Sequence, residues 1–377
     1  MIETVTFKNF KALRELSMPL TRFTLLVGPN GSGKTSVLQG LAYLYFLNYA
    51  DAGFFRGNRA LSELLSRGAT TGGLGIRCRG TWAQKPGAID LSLSEYDPER
   101  FTWKLKVTHG ERSYVLDETN YQPAPVAVDG VPLEDLSPPI GLLRLEADGI
   151  AQPAYSGALR PRMEPDGSGT AAVLADMALS RPEDFRSVEE GLRAVIPSVE
   201  QIRLERALVR RSELQRITVD NRTTESTVER EYVGHKVVFD MQGAPNVSAT
   251  AASEGTLVML GILTAILGHR GHNLVLIDDL ERGIHPRAIA DLVAQIRRLL
   301  DVFPDLQIVA TSHSPYLVDL LDPAEVRLML ADGAGARWAR LDDHPEFERW
   351  REFMRPGEIW SMIGEDWIGV QGARSNG

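Results

Sequence analysis

A phosphate-binding loop is predicted by the stretch GPNGSGKT, residues 28–35. Its glycines leave room for successive backbone N–H groups to point at phosphate oxygens. Lys34, expected to be a solvent-side point charge, can reach the β- and γ-phosphates, and the Thr35 hydroxyl can ligate Mg²⁺. A glycine-rich turn that matches by chance is the alternative, but the complete G-x(4)-G-K-T spacing between an apolar run and a helical pattern favours nucleotide binding.

Two carboxylates follow the apolar run in NLVLIDDLERGIHP. In a phosphate-loop protein, we expect this strand to lie beside the strand that leads into the loop. Asp278 can then hold Mg²⁺ through water, and Asp279 can orient the attacking water. A solvated acidic turn is the alternative, and it would be preferred if the phosphate loop were absent.

A histidine and a helix start complete the candidate residues. LQIVATSHSPYLVDLL predicts a buried strand followed by His313, which can hydrogen-bond a γ-phosphate and report its presence. SEGTLVMLGILTAIL places Ser253, Glu254 and Gly255 at the N-terminus of a helix that is apolar on nearly every face, an arrangement that suits an anion. The alternatives are a structural histidine and a capped core helix.

These residues require an α/β framework that is split along the chain. FTLLV predicts the strand before the loop, and the runs LVLI and LQIVATS, separated by an amphipathic helix, predict a parallel crossover. From about residue 73, short alternating runs predict an antiparallel β insertion with a turn at Asp129-Gly130. From roughly 168 to 215 the pattern is helical, with a break at Ser180 and Pro182, and strand returns at HKVVFDM.

Composition limits the classes of protein that remain. The 377 residues are 43% apolar and 24% charged, which is ordinary for a globular chain of one large unit or two smaller ones. A net charge of −9 means that nucleic acid would need a local basic patch or a partner chain. The single Cys78 excludes an internal disulfide framework. Without an apolar run of signal-peptide or membrane-spanning length, we expect a cytoplasmic protein without membrane contact.

The chain resembles the ABC-type ATPases of the RecF, SMC-like and OLD (overcoming lysogenisation defect) group. The resemblance rests on four motifs that occur in the same order in that group: GPNGSGKT, SEGT before an apolar helix, LIDDLERGIHP and TSHSPYLVD. The opening FKNFKALRELSMPLTRF also resembles that group's start. The resemblance covers about residues 1–50 and 235–322 and is weak between them. It implies a P-loop ABC-type ATPase head with an antiparallel β insertion and a helical lobe, and it implies ATP and Mg²⁺ as ligands.

The resemblance also assigns roles. Asp278 and Thr35 would hold the metal, Asp279 would be the catalytic carboxylate, and His313 would be the switch histidine. Ser253 to Thr256 would form the signature motif, so that ATP lies between two copies in a head-to-tail dimer. The residues expected to contact nucleotide are Asn30, Gly31, Ser32, Gly33, Lys34, Thr35 and Ser36 of the Walker A loop, with Ser253 and Gly255 of the signature.

One position departs from the family pattern. The family usually has Glu where this chain has Asp279, and the shorter side chain would hold water about one methylene farther from the γ-phosphate, which slows turnover. Glu281 is the other candidate for the catalytic base. The Q-loop is not located, and Gln152 is the nearest candidate.

The interval between the loop and the signature separates this chain from some relatives. Transporter ATPases have a short helical subdomain there, and SMC-like proteins have coiled coils whose heptads are missing here. What remains resembles compact "AAA family" ATPases of bacterial toxin-antitoxin and phage-defence operons. No nuclease cluster like that of OLD proteins is visible. The predicted parts are an ATPase core (1–50 and 235–330), an antiparallel β subdomain (51–145), a helical insert lobe (146–234) and an aromatic-rich tail that packs on the core (331–377).

The resulting hypothesis is a slow ATPase that dimerises on ATP and controls a separately encoded effector, a nuclease, in anti-phage defence or a toxin-antitoxin system. The alternatives are a RecF-like DNA-binding repair ATPase and a nucleotide-binding scaffold without turnover.

The segment RLERALVRRSELQR is the candidate for contact with DNA, because its arginines could form a strip that contacts phosphates. A solvated helix face is the alternative and is slightly favoured. The arginines of this stretch are Arg203, Arg206, Arg210, Arg211 and Arg216.

Overall fold

The structure is a computed structural model that describes residues 1–48, 64–66, 73–82, 84–97, 100–117, 127–128, 131–132, 140–219, 222–268 and 274–369. The chain divides into two compact units. The first comprises Met1–Leu142, Gly271–Glu281 and Ile296–Gly377, and the second comprises Leu143–Arg270 and Arg282–Gln295. The phosphate loop and the carboxylates after LVLI belong to the first unit, and the SEGT motif belongs to the second.

The strands, in chain order, are β1 (Ile2–Phe10), β2 (Leu13–Pro19), β3 (Phe23–Val27), β4 (Leu74–Trp82), β5 (Lys85–Asp97), β6 (Arg100–His109), β7 (Arg112–Asp117), β8 (Ala127–Val128), β9 (Val131–Pro132), β10 (Ile140–Leu143), β11 (Val199–Val219), β12 (Arg222–Met241), β13 (Ala244–Ser248), β14 (Leu274–Ile277), β15 (Gln307–Ser312), β16 (Val326–Asp332) and β17 (Gly335–Ala339). The α-helices are α1 (Lys34–Asn48), α2 (Ala147–Ala151), α3 (Thr170–Ser180), α4 (Pro182–Val195), α5 (Glu254–Gly268), α6 (Pro286–Val302), α7 (Pro315–Val318), α8 (Phe347–Trp350) and α9 (Pro356–Ile363).

An antiparallel sheet in the first unit has the strand order β2-β1-β4-β5-β6-β7. Its strands alternate between buried and exposed residues, as in β4, where Leu74, Ile76 and Cys78 are buried. Because β1 pairs with both β2 and β4, the run predicted as an insertion continues the N-terminal hairpin. The β8–β9 pair flanks the predicted Asp129-Gly130 turn, whose two residues lie outside the described residues.

The second sheet carries the predicted parallel crossover and has the order β10-β14-β15-β3-β16-β17. β14 pairs in parallel with β15, and β15 pairs in parallel with β3. The expectation that β14 lies beside β3 is therefore wrong, because β15 lies between them. The physical reason is that β15 hydrogen-bonds to β14 on one edge and to β3 on the other, and the complete burial that all three strands share does not specify which of them lies between the other two.

One hydrophobic core serves both sheets of the first unit. It joins Phe7 and Phe10 of β1 to Leu26 of β3, Leu276 of β14 and Val309 of β15. Residues of α1 belong to the same core, and α1 contacts β1 as well as β14 and β15. The phosphate loop, which joins β3 to α1, is therefore anchored at both ends in buried structure.

The second unit contains helices and a long β ribbon. α3 ends at Ser180 and α4 begins at Pro182, which confirms the predicted break. The helical prediction is wrong for residues 199–215, because β11 pairs with β12 along its whole length. Pairing with a second strand satisfies the backbone groups of β11, and this long-range contact overrides the charge pattern that suggested a helix face.

The C-terminal residues of the described chain pack within the first unit. Phe347 and Trp360 are buried, whereas Phe353 is 82% exposed. The N–H of Gly357, at the start of α9, donates to Asp319 Oδ1 at 2.7 Å, and Asp319 directly follows α7. The four predicted parts of the chain remain a proposal, since a compact unit need not coincide with an insertion. Within the described residues, none of the helices is both long and apolar enough to cross a membrane.

Candidate nucleotide-binding site

The phosphate loop has a conformation that depends on glycine. Gly28 has φ +142°, and a Cβ there would lie 2.2 Å from the carbonyl oxygen of Met329. Gly31 has φ +80° with nothing within 4 Å of an added Cβ. Ser32 is buried, and its Oγ has no hydrogen-bond partner among the described residues. An unpartnered buried hydroxyl in a loop with left-handed glycines fits a site for phosphate oxygens.

Substitution of alanine at Gly28 and Gly31 should therefore have different effects. Gly31→Ala is expected to add only left-handed backbone strain, about 1–2 kcal/mol. Gly28→Ala adds the steric conflict with Met329 and is expected to lower Tm by several degrees more. Differential scanning fluorimetry of the two variants checks this, and equal Tm values would show that the β3 end does not need glycine at residue 28.

Lys34 is buried, contrary to the expectation of a solvent-side charge. Its side chain donates from Nζ to the carbonyl oxygens of Gly28 at 2.8 Å and Pro29 at 2.9 Å. Burial lowers the pKa of Lys34, and the nearby Asp279 and Asp278 partly oppose that shift. Lys34 is buried because its ammonium group bonds to two carbonyl oxygens of the loop itself. The ammonium group therefore has a second task, which is to hold the loop.

The two predicted metal ligands are brought together. Asp278 Oδ1 accepts hydrogen bonds from Thr35 Oγ1 at 3.1 Å and from Thr311 Oγ1 at 2.8 Å. Among the residues that the structure describes, no group of three or more His, Cys, Asp or Glu could hold a metal ion. A Mg²⁺ ion held by Asp278 and Thr35 would thus need phosphate oxygens or water as further ligands, as this ion commonly does.

Thr311 is a site residue that the sequence interpretation missed. Its hydroxyl donates to Asp278 and accepts the N–H of Asp279 at 2.8 Å, so it positions both acidic residues from the intervening strand β15. The available signal was a hydroxyl residue two positions before His313 in the run TSH. That signal has no meaning until β15 is known to lie next to β14.

The two candidate bases have different surroundings. Asp279 is exposed and has φ +58°. Glu281 is half-buried, and its Oε1 accepts the backbone N–H of His313 at 2.8 Å. The other oxygen of Glu281 is buried and has no hydrogen-bond partner in the described part of the chain. His313 itself is exposed.

The remaining loop residues and the signature lie as follows. Asn30 is exposed, and Ser36 is half-buried in the first turn of α1. In the second unit, exposed Ser253 caps α5, because its Oγ accepts the N–H of Thr256 at 3.2 Å. Gly255 is buried, and a Cβ there would lie 2.6 Å from the carbonyl oxygen of Gly283.

A cavity of about 480 Å³ in the first unit was also missed. It is lined by Lys8, Asn9, Arg14, Glu15, Ala334, Ala336 and Arg337. The link to the loop is Ala336, whose Cβ would lie 3.1 Å from a Cβ added at Gly33. Gln152, the nearest candidate for the Q-loop, is exposed at the end of α2 in the second unit.

The arginines of β11 do not form one basic strip. Because side chains alternate along a strand, Arg203 and Arg211 lie on one face of the ribbon and Arg206 and Arg210 on the other. Arg216 lies at a position whose side chain is outside the described residues. Three of the described arginines have partners: Arg203 donates to Asp240 at 3.1 Å, Arg210 to Glu231 at 2.9 Å and Arg211 to the carbonyl of Tyr155 at 2.5 Å.

Comparison with known proteins identifies a family that matches this chain and individual proteins that are similar to it in sequence. The family described as "AAA domain, putative AbiEii toxin, Type IV TA system" matches residues 23–319. The Septu protein PtuA of Bacillus mycoides is 22% identical over 343 residues, which is 87% of this chain and 40% of PtuA. The OLD nuclease of Thermus scotoductus is 42% identical over 41 residues, 11% of this chain and 8% of that protein.

A solved structure supports the fold. The crystal structure of an SMC head bound to the C-winged helix domain of ScpA aligns with a TM-score of 0.53 and 13% identity, covering 90% of this chain and 96% of that one. At this identity the likeness concerns the fold alone. Because the family match spans most of the chain and includes the loop, the carboxylates and the histidine, this chain belongs to that family, an ABC-type ATPase domain that is similar in sequence to PtuA and OLD nuclease and similar in fold to an SMC head.

Proposed function

We propose that this protein is an ATP-driven switch: two copies associate head to tail with ATP between them, and slow hydrolysis separates them. The observation that carries the proposal is the meeting of Lys34, Thr35 and Asp278 at the ends of β3 and β14. Membership of the ABC-type ATPase family supports it.

Different residues of the site have different roles in nucleotide binding and in hydrolysis. The loop N–H groups and Lys34 would bind the phosphates, and Thr35 and Asp278 would hold Mg²⁺, which would supply positive charge against the phosphates. Asp279 is exposed and is the carboxylate that orients water. Its side chain is one methylene shorter than the usual Glu, so the proposed turnover is slow.

The proposed output is control of a separately encoded nuclease in phage defence or a toxin-antitoxin system. Support comes from the toxin-antitoxin description of the family and from the similarity to PtuA across 87% of this chain. The chain spans only 40% of PtuA, so nothing about PtuA's remaining length transfers. The arginines of β11 are divided between the two faces of the ribbon. They therefore do not favour the alternative function, a RecF-like DNA clamp.

Affinity purification of the chain from its native host, followed by mass spectrometry, tests the output. We expect a protein with nuclease motifs to copurify with wild type in an ATP-dependent manner. Recovery of the chain alone, with and without ATP, would contradict effector control. ATPase activity that DNA stimulates in the purified chain would instead favour the DNA clamp.

The head-to-tail dimer is tested at Ser253. Gly255→Asp is unsuitable, because Gly255 is buried against the Gly283 carbonyl and its substitution would disturb the fold. Ser253→Asp and Ser253→Asn both retain a cap for α5, and they differ by one negative charge at an exposed position. With a non-hydrolysable ATP analogue, we expect Ser253→Asn to dimerise and Ser253→Asp to stay monomeric, because a carboxylate would face the γ-phosphate.

Sedimentation velocity separates these results. The cap is equivalent in the two variants, so a helix defect would affect both equally. If Ser253→Asp dimerises as well as Ser253→Asn, the signature does not contact phosphate in the dimer.

A further inference from the structure

The carboxylate of Glu281 contacts the backbone at the end of β15. One oxygen of its carboxylate accepts the N–H of His313 at 2.8 Å, and the other is buried without a partner among the described residues. Asp279, two residues earlier, is exposed. The structure therefore leaves Asp279 open to solvent and commits Glu281 to the histidine.

The segment after β14 is tied to β15 by a series of hydrogen bonds. Asp278 and Asp279 bond to the Thr311 hydroxyl, and the N–H of Leu280 donates to the Thr311 carbonyl at 3.0 Å. The contact from Glu281 reaches one residue beyond Ser312, where β15 ends. It thus holds the backbone of His313 at a point that the strand pairing no longer fixes.

The chemistry of this contact favours a fixed geometry. The His313 N–H donates to a side-chain oxygen at 2.8 Å, which is an ordinary hydrogen-bond length and fixes the direction of the N–H. Since Oε2 has no partner among the described residues, removal of the carboxylate removes one defined contact. Glu281 and His313 belong to the same compact unit, so the contact lies within one body.

We propose that Glu281 is a positioning residue that fixes the backbone of His313, so that the imidazole is presented at the end of β15, and that it is not the general base. The inference deepens the proposed ATPase site, and its role in turnover rests on that proposed function. Both side chains are needed, but for different reasons: the Asp279 carboxylate acts on water, and the acceptor oxygen of Glu281 acts through His313.

The test compares Glu281→Gln with Glu281→Met. The glutamine carbonyl can still accept the His313 N–H, and its amide nitrogen takes the place of the unpartnered oxygen. Methionine has a similar length but no such acceptor. Selective ¹⁵N-histidine labelling gives few backbone amide signals, since the chain has 7 histidines, and His313→Gln identifies the signal of interest. We expect that signal to stay in place in Glu281→Gln and, in Glu281→Met, to shift and exchange faster with solvent.

Single-turnover ATP hydrolysis provides the second measurement. Glu281→Gln should stay within about threefold of wild type. Glu281→Met and His313→Ala should each fall about 10²-fold, because a misplaced or missing group loses its contribution. The double variant Glu281→Met/His313→Ala should be no slower than either single variant. If Glu281→Met does not fold, as judged by its melting curve, Glu281→Ala replaces it.

Three outcomes would overturn the inference. Loss of hydrolysis in Glu281→Gln equal to that in Glu281→Met would make Glu281 the base. An unchanged His313 amide in Glu281→Met would show that the contact does not position the histidine. A double variant much slower than both single variants would show independent roles. Wild type without any hydrolysis would contradict the proposed function, while the amide signal would still decide the positioning role.

Discussion

Asp279→Asn is expected to retain ATP binding and to reduce hydrolysis about 10²- to 10⁴-fold, the usual range for loss of a general base. The amide cannot accept a proton from water, so the ATP-bound dimer should accumulate. The backbone should tolerate the change, because Asp279 has φ +58° and Asn is among the residues that adopt the left-handed region most readily. Single-turnover hydrolysis and sedimentation velocity with ATP measure the two effects.

The reverse change tests the departure from the family pattern. Asp279→Glu should raise turnover by restoring the longer reach. It should also lower Tm slightly, since Glu is less suited than Asp to a positive φ. A faster rate together with a shorter-lived dimer is the expected pair of results.

A matched control is Asp301→Asn, which removes a carboxylate from an exposed position of α6 in the first unit and should change neither rate nor dimer lifetime. If Asp279→Asn keeps substantial activity while Glu281→Gln removes it, the base is Glu281. If wild type does not hydrolyse ATP faster than buffer, even with a partner present, the switch with turnover is wrong and the scaffold alternative gains support.

Local patterns predicted the parts of the site that are local. The phosphate loop depends on residues within one strand, loop and helix, so its glycines and Thr35 can be identified from spacing alone. The crossover β14-α6-β15 was predicted for the same reason, because its apolar runs and amphipathic helix are contiguous. The break between α3 and α4 follows from Pro182, which fits the first turn of a helix.

Contacts between distant residues could not be predicted in this way. The position of β15 between β14 and β3 is a matter of strand order, which hydrophobic periodicity does not encode. Thr311 therefore had no visible role, although it contacts both Asp278 and Asp279. The close approach of Gly255 to Gly283 is likewise a tertiary contact between residues of different segments.

The β11 ribbon shows how a charge pattern can mislead. Arginines in RLERALVRRSELQR are compatible with one solvated helix face, and the same spacing is compatible with a strand whose two faces are both exposed. Only pairing with β12 distinguishes the two, because it supplies partners for the backbone groups of β11. Once the strand is known, Arg203 and Arg206 must face opposite ways, so the arginines do not form the single phosphate-contacting strip that was considered beside the helix face.

Lys34→Met is expected to weaken Mg-ATP binding by about 10²-fold or more, because hydrogen bonds to charged groups each contribute about 1.5–3 kcal/mol and the lysine would contact more than one phosphate. Methionine is preferred to alanine since Lys34 is only 5% exposed, and alanine would leave a cavity beneath the loop. Isothermal titration calorimetry with a non-hydrolysable analogue measures the affinity.

Burial of Lys34 makes the control essential. Loss of the ammonium group also leaves the carbonyl oxygens of Gly28 and Pro29 without this donor, so the loop itself can change shape. Lys106→Met removes the same charge from an exposed position on β6 and should leave both affinity and Tm unchanged, which separates net charge from the specific contact. A tenfold loss of affinity corresponds to about 1.4 kcal/mol of binding free energy. A folded Lys34→Met protein whose affinity stays within about threefold of wild type, a smaller change than that, would contradict the assignment of the loop as the nucleotide site.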